Sequence, residues 1–129
     1  MAVTEAASLR ILHQALLGEA VMGSGSAVLV SDDVGRYLAV NDGAVKLLGY
    51  TREEFAGLNA RDVTERSEEE IAEVMAMLRR KRSVEQTARV RRKDGVVGEI
   101  DYVGLESVIG GLEVIVTVTA PIDTFRQVS

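Results

Sequence analysis

The sequence contains no cysteine and no tryptophan, a single proline and a single histidine, and its aromatic content is 4%, carried by two phenylalanines and three tyrosines. The missing thiols exclude disulfides, thiolate metal centres and cysteine nucleophiles together. One imidazole, His13, supplies neither a metal-ligand set nor an acid–base pair. With no nucleophile–base constellation elsewhere, the chain is not expected to be an enzyme. No apolar run approaches the roughly 18 residues that span a bilayer, so no membrane partner is expected. Residues 1–24 lack a basic stretch leading into an uninterrupted apolar one, which argues against a secretory signal and makes the cytoplasm the expected compartment.

Positive charge is also in short supply, the formal net charge being −5, yet eight of the fifteen basic residues fall between Arg79 and Lys93. A nucleic-acid surface would interleave such a cluster with aromatics for base stacking, and this stretch has none. It reads as a helix C-terminus followed by a solvent-facing strand, with no nucleic-acid partner. What the chain does have is a 47% hydrophobic content with 27% charged residues, and a length suited to one domain with one core.

The most fully punctuated stretch is 41–58, where two short helices stand back to back. Asn41 is an N-cap, Asp42 places negative charge at the positive end of the helix dipole, and Gly49 takes the left-handed position after Leu47 and Leu48. Thr51 and Glu54 form a capping box for the next helix, which Gly57 ends and which Phe55 and Leu58 must pin to something larger. Ahead of this stretch, Val28 and Val30 alternate along one strand, Asp32-Asp33-Val34-Gly35 supplies turn chemistry, and Leu38 and Val40 return as a second strand. After it, 59–66 shows no period and reads as irregular, with Asp62 and Thr64 able to cap a single turn. Ser67, boxed by Glu70, opens a helix with Ile71, Val74, Met75 and Leu78 at i, i+3, i+4 and i+7, and Arg79-Arg80-Lys81-Arg82 offsets its C-terminal dipole.

The last third reads as three strands, 84–92, Val97–Ile109 and 112–120, joined by turns at Asp94-Gly95 and Gly110-Gly111 and stopped by Pro121. On the final strand Val114, Val116 and Val118 face one way while Glu113, Thr117 and Thr119 face the other with Ile115, so one side is dry and the other wetter. The fold class is α+β: a five-stranded antiparallel sheet with short helices on one face. Residues 4–22 precede it as a flanking helix striped by Leu9, Leu12, Leu16 and Ala20, joined through Gly23-Ser24-Gly25-Ser26. That stripe either packs back on its own domain or pairs with a second copy.

Three pieces recur in this order and at these separations in PAS sensor domains: the strand-turn-strand into Asn41, the run Leu47-Leu48-Gly49-Tyr50-Thr51-Arg52-Glu53-Glu54-Phe55-Ala56-Gly57, and the Arg92-Lys93-Asp94-Gly95 hairpin. The resemblance covers about 26–122 and divides the chain into a leading helix and linker (1–24), a PAS domain (25–122), and a tail or start of an output linker (123–129). It implies a sheet cupped around a small cavity, a sensory role in signal transduction, and an output domain or signalling protein as partner. Thr119-Ala120-Pro121-Ile122-Asp123-Thr124 approximates the family's Asp-x-Thr exit, with a proline where the pattern has none. Covalent flavin is disfavoured for want of a cysteine in 59–66, and haem for want of a histidine on the helix opened by Ser67. Non-covalent flavin would have few aromatics to stack on, so no cofactor is expected.

A small apolar or weakly polar ligand would then lie against the residues expected to face inward: Val28, Val30, Leu38, Val40, Leu48, Met75, Leu78, Val103, Val114 and Val116, with Tyr50 and Tyr102 as polar anchors. Such a stripe also suits solid packing, which leaves a ligand-free module acting as a homodimerisation or docking scaffold as the alternative. Dimerisation is expected through Leu9, Leu12, Leu16 and Ala20, joined by Ile115 on the outer face of the sheet.

Overall fold

The computed structural model describes residues 25–128; residues 1–24 and 129 fall outside the description, and with them the expected flanking helix and its stripe of Leu9, Leu12, Leu16 and Ala20. In chain order come β1 (Ser26–Ser31), β2 (Tyr37–Val40), α1 (Asp42–Leu48), α2 (Arg52–Phe55), α3 (Ala60–Val63), α4 (Glu68–Lys81), β3 (Ser83–Arg91), β4 (Val97–Ile109), β5 (Leu112–Pro121), a 3₁₀ turn at Ile122–Thr124 and β6 (Arg126–Gln127). The five main strands pair antiparallel in the order β2-β1-β5-β4-β3, and β6 adds a short pairing with the beginning of β4. This is the α+β arrangement that the periodicity predicts.

The helix boundaries follow their local chemistry. Asn41 accepts from the Ala44 N–H, and Gly49, at φ 84°, closes α1 by donating to the Val45 carbonyl. Capping boxes open α2 at Thr51 and Glu54, and α4 at Ser67 and Glu70. Three glutamates in the first turn of α4 and three basic residues in its last both oppose the helix dipole.

The link between α2 and α4 is more ordered than its sequence suggests. Asn59 and Asp62 form a further capping box, so that α3 is a one-turn helix where the residue pattern reads as irregular. Four residues are too few to display a period. Arg36 bridges Asn59 on one side and Thr64 bridges Val90 on the other, so this link ties the free edge of β2 to the free edge of β3 and holds buried Val63 between them. Blocked edges leave fewer unpaired backbone groups for a foreign strand.

The sheet turns its faces opposite to expectation. Ala27, Leu29, Ile100 and Tyr102 lie in the cluster that contains Leu47, Phe55 and Leu78 of the helices, and Ile115 packs against the same cluster. Val103 and Val118 form a second cluster with Val28, Leu105 and Val116. Because side chains alternate along a strand, Val103 beside Tyr102 must belong to the other side. The wetter side of β5 therefore faces the helices, where the Thr119 hydroxyl accepts the Ala27 N–H at 2.8 Å, beside a register shift between β1 and β5.

Candidate functional site

The cup between sheet and helices is filled by side chains from both. Phe55, 2% exposed, meets Tyr37 and Tyr50 edge-to-face at centroid distances of 5.6 and 5.8 Å. Burial pushes the Tyr37 hydroxyl well above the ordinary tyrosine pKa, and the nearby Asp62 carboxylate adds to this, so the ring stays neutral. Of the residues expected to line a ligand, Leu48, Leu78 and Tyr102 are buried in this cluster and Val40, Tyr50 and Met75 pack against it. These six are brought together.

The others are not. Val28, Val103 and Val116 belong to the opposite cluster and Val30 pairs with Val116 on β5, while Val114, next to Ile115, borders the hollow beside Met75 and Leu78. Leu38 is 49% exposed. Ile115, expected on the outer face as a dimer contact, instead packs against the helix-side cluster. The physical cause is common to all of them: the expectation gave the dry side of β5 to the core and the wet side to solvent, whereas both sides are in large part withdrawn from water, Val103 at 0%, Val118 at 1% and Val114 at 3% exposure.

Two concavities mark the described surface. The smaller, about 130 Å³, lies where Met75 and Leu78 of α4 meet Val114 and Ile115 of β5, with Asp33, Arg79, Glu106 and Glu113 around it. The larger is an open groove of about 880 Å³ bounded by the link before α4, the β3–β4 turn and β6. On its wall stands Arg66, a residue that sequence reasoning passed over. Its Nη2 donates to the Tyr102 hydroxyl at 3.1 Å and to Gln86 Oε1 at 3.3 Å, and its guanidinium carbon lies 5.5 Å from the Tyr102 ring centroid. No local signal marks it, because its partners are 20 and 36 residues away in the chain.

The remaining polar contacts fasten the elements around the cup. Asn41 uses its carbonyl oxygen twice, accepting from Val28 N–H at 2.9 Å and Ala44 N–H at 3.0 Å, while its amide donates to the Ser26 carbonyl at 3.0 Å. Lys93 of the β3–β4 turn pairs with Glu54 at 2.8 Å, and its N–H donates to the Leu48 carbonyl, docking the hairpin on α1 and α2. Among the described residues no group of three His, Cys, Asp or Glu side chains converges as a metal site, and no helix is long and apolar enough to cross a membrane.

A five-stranded antiparallel sheet cupped against the short helices is the arrangement that the resemblance implies, and the strands take the order β2-β1-β5-β4-β3. The PAS domain family profile matches residues 25–117. The chain belongs to the PAS domain family. Solved structures agree on the fold. A PAS domain from a two-component sensor histidine kinase shares 16% identity at a TM-score of 0.67, covering 85% of this chain and 96% of that one. The PAS domain of a protein from Colwellia psychrerythraea shares 19% identity at a TM-score of 0.70, covering 86% and 95%. A domain of a sensory box sensor histidine kinase/response regulator from Geobacter sulfurreducens shares 21% identity at 0.61, covering 74% and 82%. A search of curated proteins finds no match. PAS domains are sensory signalling modules, generally without catalysis of their own.

Proposed function

We propose that this PAS domain serves its signalling protein as an assembly module, holding two copies together through the outer face of its sheet and the amphipathic segment 4–22, and passing a shift in that contact to an output module or partner protein. The observation in support is the apolar character of the outer face, where Val28, Leu105 and Val116, all partly exposed, surround buried Val103 and Val118. A sheet face meant for solvent would carry polar residues there. The stripe of Leu9, Leu12, Leu16 and Ala20 has the spacing and width that seal against one partner helix.

A ligand enclosed in the cup has one observation in its favour, the hollow beside Met75 and Leu78. At about 130 Å³ it is smaller than the roughly 300–1,000 Å³ of ordinary small-molecule sites. An occupant larger than a fragment would have to displace side chains, and neither haem nor a flavin is proposed. The assembly reading is tested by Val116→Glu, which sets a charge in the middle of the outer face. Size-exclusion chromatography should show a dimeric parent chain and a monomeric variant whose circular dichroism spectrum is that of the parent. A folded variant that remains dimeric removes the outer face from this role.

A further inference from the structure

Six described basic residues have no carboxylate within 4 Å: Lys46, Arg61, Arg66, Arg79, Arg80 and Lys81. Five are exposed, as solvated charges are, and Arg66 alone is half-buried. A guanidinium withdrawn from water without a counter-ion is costly, and its hydrogen-bond partners here, Gln86 and Tyr102, are both neutral. Both bonds leave from Nη2, so three of its five N–H donors remain for another acceptor.

The acids that line the groove with Arg66 are committed elsewhere. Glu65 is paired with Arg91 at 2.5 Å, and Asp94 accepts the Val96 N–H at 2.9 Å with Arg92 3.7 Å away. Glu70 feels the field of Arg66, but weakly beside its hydrogen bonds to Ser67, which do most to lower its pKa. Arg89, on the same groove, already faces Glu99 at 3.8 Å. The uncompensated charge of the groove is therefore that of Arg66. Val96, Val97 and Val128 line the same groove and give it an apolar stretch.

We propose that the groove binds a small carboxylic acid, its carboxylate on the free N–H groups of Arg66 and its short apolar body along Val96, Val97 and Val128. Arginine presents a planar fork that matches a carboxylate, and the two together are roughly twice as strong as a neutral hydrogen bond. At about 880 Å³ the groove has room for such a molecule. An occupant would touch both the link before α4 and β6, the last described strand, so binding would bear on the strand by which the domain exits. The proposal stands apart from the assembly reading, since it rests on a different face and neither needs the other.

The test is a nuclear magnetic resonance titration of the full chain with hexanoate, benzoate, acetate and inorganic phosphate, following the Arg66 guanidinium and the valine methyls. Hexanoate and benzoate should give saturable shifts at Arg66 and at Val97 and Val128, acetate should bind more weakly for want of an apolar body, and phosphate should give no saturation. Arg66→Lys keeps the charge and loses the fork, and should weaken hexanoate about tenfold or more, whereas Arg61→Gln at an exposed site should change nothing. No saturable shift at Arg66 in the parent chain, or tighter saturation by phosphate than by hexanoate, overturns the proposal. So does an Arg66→Lys chain that is folded by its amide spectrum and binds hexanoate as the parent does.

Discussion

Asn41 shows how much one side chain can join. Its sequence position marks it as a cap, and capping alone predicts that aspartate would replace it at little cost. The structure adds an amide N–H₂ donating to the Ser26 carbonyl and a second N–H, that of Val28, on the same oxygen. Asn41→Asp turns that donor into a carboxylate oxygen facing a carbonyl. We therefore predict that Asn41→Ala and Asn41→Asp each destabilise by about 1–3 kcal/mol in urea unfolding; a near-neutral aspartate would mean that the Ser26 contact contributes nothing. Asp32 organises the β1–β2 turn in a similar way. Burial works to raise its pKa, but the Arg36 N–H at 2.9 Å, the Arg36 guanidinium at 2.8 Å and the Val34 N–H at 3.0 Å outweigh it, and the carboxyl is held below its ordinary value. A lowered folded-state pKa adds stability that is full above the unfolded value of about 3.9 and is lost as pH falls through the folded one. Asp32→Asn should accordingly lower the melting temperature at pH 7 and narrow its gap to the parent below about pH 4. A gap that stays constant down to pH 2 would show that Asp32 carries no such linkage.

Among the elements, those with complete start and stop signals are legible in the sequence. The capping boxes of α2 and α4 and the glycine close of α1 lie where their residues put them. Three features are not legible there. The α3 box escapes because one turn has no periodicity, and β6 because two residues carry no alternation. The orientation of the sheet escapes because a period of two separates its faces without saying which meets the helices. That choice rests on long-range contacts such as Thr119 with Ala27, 92 residues apart. The pocket residues read from the valine stripe inherit the error, whereas those on the helices do not. The docking of β6 depends on Gly98: a Cβ there would lie 2.6 Å from both Phe125 Cε2 and the Arg126 carbonyl oxygen. The Phe125 ring rests instead in the space this glycine leaves, with the Arg92 guanidinium 5.9 Å from its centroid. Gly98→Ala should therefore expel Phe125, cost about 1–3 kcal/mol and raise hydrogen exchange about tenfold at the Val128 amide, which donates to the Val97 carbonyl. Unchanged exchange at Val128 would mean that β6 holds without the ring.

At the scale of the whole molecule the sheet carries apolar side chains on both faces, one of them covered by the described helices. The other side presents Val28, Leu105 and Val116 around buried Val103 and Val118. A helix of under twenty residues containing a glycine, as proposed for 4–22 with Gly18, is marginal on its own, so the proposed pairing would stabilise it. The most direct test is light scattering at tens of micromolar on the full chain, on residues 25–129, and on the full chain carrying both Leu12→Glu and Leu16→Glu. The account predicts a homodimer for the first and folded monomers for the other two. A monomeric full chain, or a truncated domain that remains dimeric, would contradict it.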